Sequence, residues 1–344
     1  MVKQYLDKLM KYFSSDLAMD LGTANTLIYV REKGIVLNEP SVIAVNPTGN
    51  NVEAVGIEAK RMYGRTHDQL NAIRPMKDGV IADFDSTHRM ITHFIKKILK
   101  KYWFIKPRIV VGIPTCITQV EKKAVIDSAR IAGVRDVYLV EEPMAAAVGV
   151  GIPVHKAEGN MVVDIGGGTS DVAVVSLSAI AYGESVRVGG DKMDEAIVRH
   201  MRINHHLNIG VFAGERAKIE AGSAYPLNKR LTATVKGLNI QTGTPTSIVV
   251  DDKEIREAIN EPLSSIITVI GRTLEKTSPE LSADIHSNGI YLTGGGALIR
   301  SLDKLIEEKT TLKAYTPNDP LLSIVKGTGK ILDNFEEMKK VCVA

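Results

Sequence analysis

Short apolar segments broken by polar turns follow the first 15 residues of the chain. The stretches 16–30 (DLAMDLGTANTLIYV) and 34–45 (GIVLNEPSVIAV) are rich in β-branched residues and are bounded by Gly, Asn or Pro, which predicts strands. Residues 86–100 and residues 1–13 instead place apolar side chains at i, i+3, i+4 and i+7. The pattern therefore predicts an amphipathic helix on each side of a strand-rich region.

Strands and helices alternate through the next part of the chain. Residues 108–112 form an apolar run, and Thr118 with Glu121 has the spacing of a capping box for a helix that ends near Gly133. A second apolar run, 137–140, is followed by Pro143, which is favoured at the first helical position. This alternation predicts an α/β architecture with a parallel sheet.

One strand–turn–strand pattern occurs twice. Residues 18–22 (AMDLG) and 162–166 (VVDIG) each end an apolar strand with Asp, an apolar residue and Gly, and each precedes a polar turn and a second apolar strand. The copies lie 144 residues apart. They predict two similar α/β halves facing each other across a cleft, with a hinge near residues 152–160.

The composition argues against two classes of protein, uniformly basic nucleic-acid binders and membrane-spanning proteins. The 344 residues carry 43 Lys plus Arg against 40 Asp plus Glu, a net charge of +3, which argues against a uniformly basic nucleic-acid binder. No stretch approaches the roughly 20 apolar residues of a membrane span. Two cysteines fit a reducing compartment, and we expect Cys116 to be a small core residue.

The charge is unevenly distributed. Residues 96–108 (KKILKKYWFIKPR) carry +6 and residues 1–13 carry +2, so the rest of the chain carries −5. Clustered Lys beside Trp and Tyr favours an anionic lipid surface, whereas core burial or RNA binding of the same aromatic residues is less favoured. The predicted membrane-binding side chains are Val2, Tyr5, Leu6, Leu9, Met10 and Phe13 of the first helix and Tyr102, Trp103, Phe104 and Ile105 of the loop.

Three glycine-rich turns indicate anion binding. Turns 22–26 and 166–169 can direct several backbone N–H groups at one anion, and together they could clamp a polyphosphate. Asp20 and Asp164, which precede them, would then hold Mg²⁺. The third run, 294–297, precedes a helix-like segment and allows close backbone approach to a flat ligand or anion. None of the three has the spacing of a Walker A or dinucleotide motif.

Several long segments of the sequence resemble those of known protein families. The hairpins DLGTANT and DIGGGT with the loop LTGGGA resemble the actin, Hsp70 and hexokinase ATPase superfamily. The strings VLNEPSVIAV, AIRPMKDGVIADF, NMVVDIGGGTSDVAV, VGGDKMDEAI and YLTGGGALIRSLD resemble the MreB family of bacterial actins more closely. This resemblance extends from about residue 15 to residue 333.

The resemblance implies an actin-like ATPase fold, in which two similar α/β domains surround a nucleotide cleft and each carries a smaller subdomain. Residues 1–14 would form the membrane-binding helix. Domain I would span 15–155, with a subdomain at about 34–76, and would be completed by 325–344. Domain II would span 156–324, with a subdomain at about 193–253.

The resemblance also implies a set of site residues for ATP and Mg²⁺. Glu142 would orient or activate the attacking water, Thr169 would help to position it, and Asp20 and Asp164 would lie near the metal, through water. The nucleotide-binding residues would be Gly22, Thr23, Ala24, Asn25, Gly166, Gly167, Gly168, Thr169, Glu215, Arg216, Ala217, Lys218, Gly294, Gly295, Gly296 and Ala297. The sequence departs from the family at Ser170, Asp171 and the 213–221 segment, where Gly214 predicts a looser nucleoside pocket.

The implied function is slow Mg-dependent ATP hydrolysis coupled to the polymerisation of a cytoskeletal protein. The filaments, as protofilament pairs, would lie at the inner face of the cytoplasmic membrane, contact membrane proteins of the cell-wall elongation machinery, and maintain rod shape. No nucleic-acid partner is expected. A small-molecule kinase or a chaperone-type ATPase of the same superfamily remains the alternative.

Overall fold

The computed structural model describes residues 16–46, 51–65, 70–99 and 106–343. The chain divides into two compact units. Unit 1 contains the chain up to Pro153 and from Leu322 onward, and unit 2 contains Val154–Leu321. These boundaries lie two or three residues from those implied by the sequence.

The main sheet of unit 1 has five strands in the order β10-β9-β1-β2-β3. Its strands are β1 (Leu17–Leu21), β2 (Asn25–Val30), β3 (Gly34–Pro40), β9 (Arg108–Ile113) and β10 (Asp136–Glu141). β1, β9 and β10 are parallel, but β1, β2 and β3 form antiparallel hairpins. The parallel pairing predicted from the alternation of strands and helices is confirmed for β9 and β10. The strands β1, β2 and β3 are antiparallel because turns of three residues join them.

Unit 2 repeats this design, with a main sheet in the order β13-β12-β11-β17-β18. The strands are β11 (Asn160–Ile165), β12 (Ser170–Ser176), β13 (Ala179–Val186), β17 (Ile290–Thr293) and β18 (Ala314–Tyr315). β11 again pairs antiparallel with the strand that follows it and parallel with a strand distant in sequence. The repeated sequence pattern thus corresponds to a repeated sheet topology.

Smaller sheets complete the units. Unit 1 contains β4 (Ile43–Val45), β5 (Val52–Val55) and β6 (Asn71–Ile73) in one sheet, and β7 (Met76–Lys77) and β8 (Val80–Ile81) in another. Unit 2 contains β14 (Leu207–Asn208), β15 (Thr232–Asn239) and β16 (Pro245–Asp251).

The helices cover the sheets and close a large hydrophobic core in each unit, and unit 1 has a further small cluster of Val42, Ala44, Ala54 and Ala59. Those of unit 1 are α1 (Ile57–Met62), α2 (Phe84–Leu99), α3 (Gln119–Ile131), α4 (Glu142–Val150), α10 (Ser323–Asp333) and α11 (Phe335–Met338). Those of unit 2 are α5 (Gly190–Asn204), α6 (Val211–Ala221), α7 (Asp252–Lys276), α8 (Pro279–Asn288) and α9 (Leu302–Thr310).

Several local predictions can be compared with these elements. The capping box at Thr118 is present, with the Glu121 amide donating to Thr118 Oγ1 and Glu121 Oε2 accepting from the Thr118 amide. α4 begins at Glu142, so Pro143 is its second residue and not its first. The burial predicted for Cys116 is wrong, since Cys116 is exposed in the segment that joins β9 to α3.

Two glycines allow α4 and α10 to lie in backbone contact. A Cβ atom on Gly149 would lie 1.9 Å from the Ser323 carbonyl oxygen, and one on Gly327 would lie 1.7 Å from that of Ala145. Neither position can hold a side chain without separating the helices. This contact fixes α4 against the C-terminal part of unit 1.

Candidate functional site

The first hairpin of unit 1 joins β1 to β2 through Gly22, Thr23 and Ala24. Ser41 holds this turn from the side, because its hydroxyl donates to the Gly22 carbonyl at 2.6 Å and its amide donates to the Ala24 carbonyl at 2.9 Å. Ser41 Oγ also lies 2.9 Å from Thr26 Oγ1. Because both Ser41 and Thr26 are fully buried, these hydrogen bonds hold the turn from the interior of unit 1.

Asp20 and Glu142 are both neighbours of one glycine, Gly112 of β9. Asp20, buried near the end of β1, is the cross-strand neighbour of Gly112 on β9. A Cβ on Gly112 would lie 3.8 Å from Glu142 Cγ. Glu142 is buried as the first residue of α4, where the helix dipole favours a carboxylate. Two acids predicted from different parts of the chain are thus brought to the carboxyl end of one sheet.

The second hairpin, in unit 2, places Asp164 near the end of β11. Asp164 is opposite Asp171 on β12 and Thr293 on β17, and Thr293 Oγ1 donates to Asp164 Oδ1 at 2.7 Å. Burial raises the pKa of Asp164 to about 7; the Thr293 hydrogen bond lowers it, and the charge of Asp171 raises it further. A cation close to this carboxyl would lower its pKa again and favour the ionised form.

The turn 166–169 is held by the start of α5. The Gly166 amide donates to the Thr169 carbonyl at 2.8 Å, and the carbonyls of Gly166 and Gly167 accept from the amides of Gly190 and Asp191 at 3.0 and 2.8 Å. With its carbonyls engaged in this way, the turn has a fixed backbone conformation.

Lys218 links α6 to the same end of α5. Its ammonium lies 2.7 Å from Asp194 Oδ1 and donates to the Gly190 carbonyl at 2.9 Å. Burial raises the pKa of Asp194 to about 6, although the charge of Lys218 acts in the opposite direction. Within α6, Glu215 is half-buried, Ala217 is buried and Arg216 is exposed.

The looser nucleoside pocket predicted from Gly214 stays a prediction, but Gly214 itself leaves no gap in the packing of α6 against α5. Gly214 is buried, and a Cβ there would lie 3.0 Å from the Asp194 carbonyl oxygen and 3.2 Å from a methyl group of Val198. The missing side chain lets α6 approach α5 closely. The glycine therefore serves helix packing, at the end of α5 that holds the 166–169 turn.

The loop 294–297 lies on the end of β11. Gly294 has a φ of +80°, and a Cβ there would lie 2.4 Å from the Ile165 carbonyl oxygen. The loop continues as a 3₁₀ turn, Gly295–Leu298, and α9 starts only at Leu302, later than the sequence suggests. Arg300 then donates to the carbonyls of Ile219 and Gly222 at 3.0 and 3.1 Å, which joins this loop to the end of α6.

Comparison with known proteins decides the family. The sequence model of the MreB/Mbl protein family matches residues 14–340. The chain belongs to the MreB/Mbl family. It is 49% identical over 333 residues to the cell shape-determining protein MreB of Escherichia coli K12, covering 95% of this chain and 96% of that one. It is 44% identical over 328 residues to the cell shape-determining protein Mbl of Bacillus subtilis 168, covering 95% and 98%.

Solved structures agree with this assignment. MreB5 of Spiroplasma citri bound to ADP superimposes with a TM-score of 0.89 at 32% identity, covering 93% of this chain and 97% of that one. The same protein bound to AMPPNP gives a TM-score of 0.87 at 32% identity, covering 93% and 96%. The actin-like fold predicted from the sequence is confirmed.

The membrane-binding residues predicted for this MreB/Mbl chain, 2–13 and 102–105, lie outside the described residues. Next to the loop, Lys97 at the end of α2 pairs with Glu39 at 3.1 Å. Within the part of the chain that is described, every helix is too short or too polar to span a bilayer.

Sequence reasoning about this MreB/Mbl chain missed several residues in and around the candidate site: Ser41, Gly112, Gly189, Asp194 and Arg300. Gly112 could have been found, because a glycine inside an apolar strand indicates close approach of another group. Gly189 also precedes a second glycine at a helix start, and a Cβ there would lie 2.6 Å from the Gly166 carbonyl oxygen. The other three carry no local signal, since their partners lie far away in sequence.

Proposed function

We propose that this MreB/Mbl chain binds and slowly hydrolyses ATP and polymerises into membrane-associated filaments that determine cell shape. The observation that carries the proposal is the pair of similar hairpins. Each follows a buried Asp at a strand end, and each turn is held rigid by hydrogen bonds from outside the hairpin. Rigid turns with available N–H groups bind phosphates at little entropic cost.

We assign phosphate binding to the turns 22–25 and 166–169. The nucleoside would contact the segment 215–218 and the loop 294–297 of unit 2. Lys218 donates to the Gly190 carbonyl beside the 166–169 turn, and Arg300, which follows the loop, donates to carbonyls at the end of α6. The ADP and AMPPNP complexes of S. citri MreB5 support a nucleotide as the ligand.

The donor set fits Mg²⁺. Asp20 and Asp164 offer the hard oxygen ligands that this ion prefers, directly or through water. Burial raises the pKa of Asp164, and a nearby divalent charge would offset that desolvation cost. When bound, Mg²⁺ neutralises charge on the phosphate oxygens.

Hydrolysis requires a positioned water more than covalent chemistry. Glu142 is suited to hold that water, because its carboxylate is fixed at a helix start and anchored by the contact of α4 with α10. The Thr169 hydroxyl would help to position it from the second hairpin. We expect slow turnover, as the resemblance to the family implies.

Polymerisation and membrane association extend the proposal. The filaments would be homopolymers in protofilament pairs, peripheral at the inner face of the cytoplasmic membrane and in contact with membrane proteins of the cell-wall elongation machinery. The names of the E. coli and B. subtilis relatives, cell shape-determining proteins, support the cellular role. The +6 charge of residues 96–108 supports an anionic lipid surface as the binding partner.

Hydrolysis is tested with Glu142→Gln, which preserves shape and removes the charge. We expect ATP binding to stay within twofold of the wild type, by fluorescence of a labelled nucleotide, and phosphate release to fall about 100-fold. Glu280→Gln is the matched control, since Glu280 is also a first-turn acid but is exposed on α8. Equal phosphate release by Glu142→Gln and Glu280→Gln would refute the assigned role.

Membrane binding is tested by co-sedimentation with anionic liposomes in the presence of ATP. A Trp103→Ser, Phe104→Ser variant should lose most lipid binding, whereas Val120→Ser, which removes an exposed apolar side chain from α3, should not. Equal lipid binding by all three proteins would contradict the loop assignment. Failure to sediment as polymer with any nucleotide would instead favour a kinase of the same superfamily.

A further inference from the structure

Two histidines and a glutamate meet at one point in unit 2, at the end of α5 opposite to that which holds the 166–169 turn. His200 Nε2 lies 3.1 Å from Glu254 Oε1, and His205 Nε2 contacts the same oxygen. One potential ligand atom from each residue lies within 4.8 Å of the other two. This cluster takes no part in the proposed nucleotide chemistry.

Secondary structure positions all three residues. His200 lies in the last turns of α5, and His205 is the C-cap residue directly after that helix. Glu254 lies in the first turn of α7, where its amide donates to Asp251 Oδ1 at 2.9 Å. The carboxylate is therefore presented by a capped helix start, and the two imidazoles by a helix end, so little side-chain ordering remains for a ligand to impose.

The spacing suits a tetrahedral metal site. Zinc bonds of about 2.0–2.1 Å to nitrogen and oxygen place neighbouring ligand atoms about 3.3 Å apart. The 3.1 Å from His200 Nε2 to Glu254 Oε1 is close to that separation. Two imidazoles with one carboxylate are a ligand set that zinc uses in proteins, with water as the fourth ligand. Magnesium and calcium, which prefer oxygen, are disfavoured by the two nitrogens.

The cluster is accessible but not freely solvated. The exposed side-chain fractions are 15% for His200, 24% for Glu254 and 31% for His205. An ion can therefore enter from solvent, and the ligands are partly protected from competing water. Asn204, one turn along α5, places its side-chain amide 3.0–3.1 Å from the ring nitrogens of His200 and gives that ring a polar neighbour.

We propose that His200, His205 and Glu254 form a binding site for a divalent transition-metal ion of the zinc class. The bound ion joins the end of α5 to the start of α7 and stiffens this part of unit 2. The proposal goes beyond ATP hydrolysis and does not depend on it.

The test uses tag-free full-length protein that has been treated with EDTA and dialysed. Calorimetric titration with Zn²⁺ should show one site per chain, and Co²⁺ should give the intense visible absorption of tetrahedral coordination. His200→Ala and His205→Ala should each weaken Zn²⁺ binding at least tenfold and abolish the Co²⁺ band. His286→Gln, an exposed histidine on α8, and Cys116→Ser, an exposed thiol, should leave both signals unchanged.

The two histidine variants keep the proposal open to refutation even if one of them fails to fold. His205 ends its helix and is the most exposed of the three side chains, so its replacement should preserve the fold, as checked by circular dichroism. A folded His205→Ala protein that binds Zn²⁺ as tightly as the wild type would overturn the proposal. So would a wild-type protein without a tetrahedral Co²⁺ spectrum.

Discussion

Gly327→Ala would place a methyl group inside the backbone contact between α4 and α10. The new methyl group would lie 1.7 Å from the Ala145 carbonyl oxygen, where real contacts are no shorter than 3.0 Å, so the helices must separate by about 1.3 Å. Such overpacking costs about 3 kcal/mol, and replacing a helical glycine by alanine returns about 1 kcal/mol. We expect a net loss of about 2 kcal/mol in the free energy of unfolding.

Two other helical glycines provide matched controls for this change. Gly271 in α7 has open space where its Cβ would lie, so Gly271→Ala should stabilise the protein by up to about 1 kcal/mol. Gly329, in the same helix as Gly327, would meet only the Tyr29 ring, at 3.1 Å, and its replacement should change stability little. Urea unfolding followed by circular dichroism, on nucleotide-free protein, measures all three variants.

Gly327→Ala should also alter the candidate site. Because α4 begins at Glu142, displacing this helix by about 1 Å should lower ATP hydrolysis by up to 100-fold without abolishing folding. A Gly327→Ala protein that is as stable and as active as Gly329→Ala would refute the reasoning, since it would mean that the two helices separate at no cost.

Three further predictions concern single side chains. Because the raised pKa of Asp164 lets the folded protein keep a proton that the unfolded chain releases, the free energy of unfolding should fall as pH rises from about 4 to 7 in EDTA, on the order of 4 kcal/mol. Asp164→Asn should reduce this slope and leave the part that Asp194, whose pKa burial raises to about 6, contributes between about pH 4 and 6. An unchanged slope in urea titrations across that range would contradict the burial argument. Ser41→Ala should lower the free energy of unfolding by about 1–3 kcal/mol and weaken ATP binding, because it removes the donor to the Gly22 carbonyl. Urea unfolding and nucleotide titration measure the two effects. Unchanged values would show that the turn does not need this hydrogen bond. Thr118→Ala should lower the free energy of unfolding by about 1 kcal/mol, because it removes the capping box of α3, and Thr118→Ser should keep most of that stability. Equal urea midpoints for the wild type and both variants would rule out the cap as a source of stability.

Local patterns in the sequence predicted much of the fold. The apolar spacing of residues 86–100 predicted α2 to within two residues of its start and one of its end, and Thr118 with Glu121 predicted the start of α3. The repeated Asp-apolar-Gly pattern predicted both hairpins. These signals work because a helix period, a cap and a two-strand turn depend on residues only a few positions apart.

The arrangement around the site was decided by tertiary structure. Asp20 and Glu142 both lie beside Gly112, although β1, β9 and α4 are distant in sequence. His200 and Glu254 are in contact although they are 54 positions apart in the sequence, and no sequence motif predicts that pair. Sequence spacing alone determined which elements form and which turns can bind an anion. Which acids, imidazoles and glycines come into contact was determined by the packing of helices and strands, because such contacts depend on complementary surfaces and not on local periodicity.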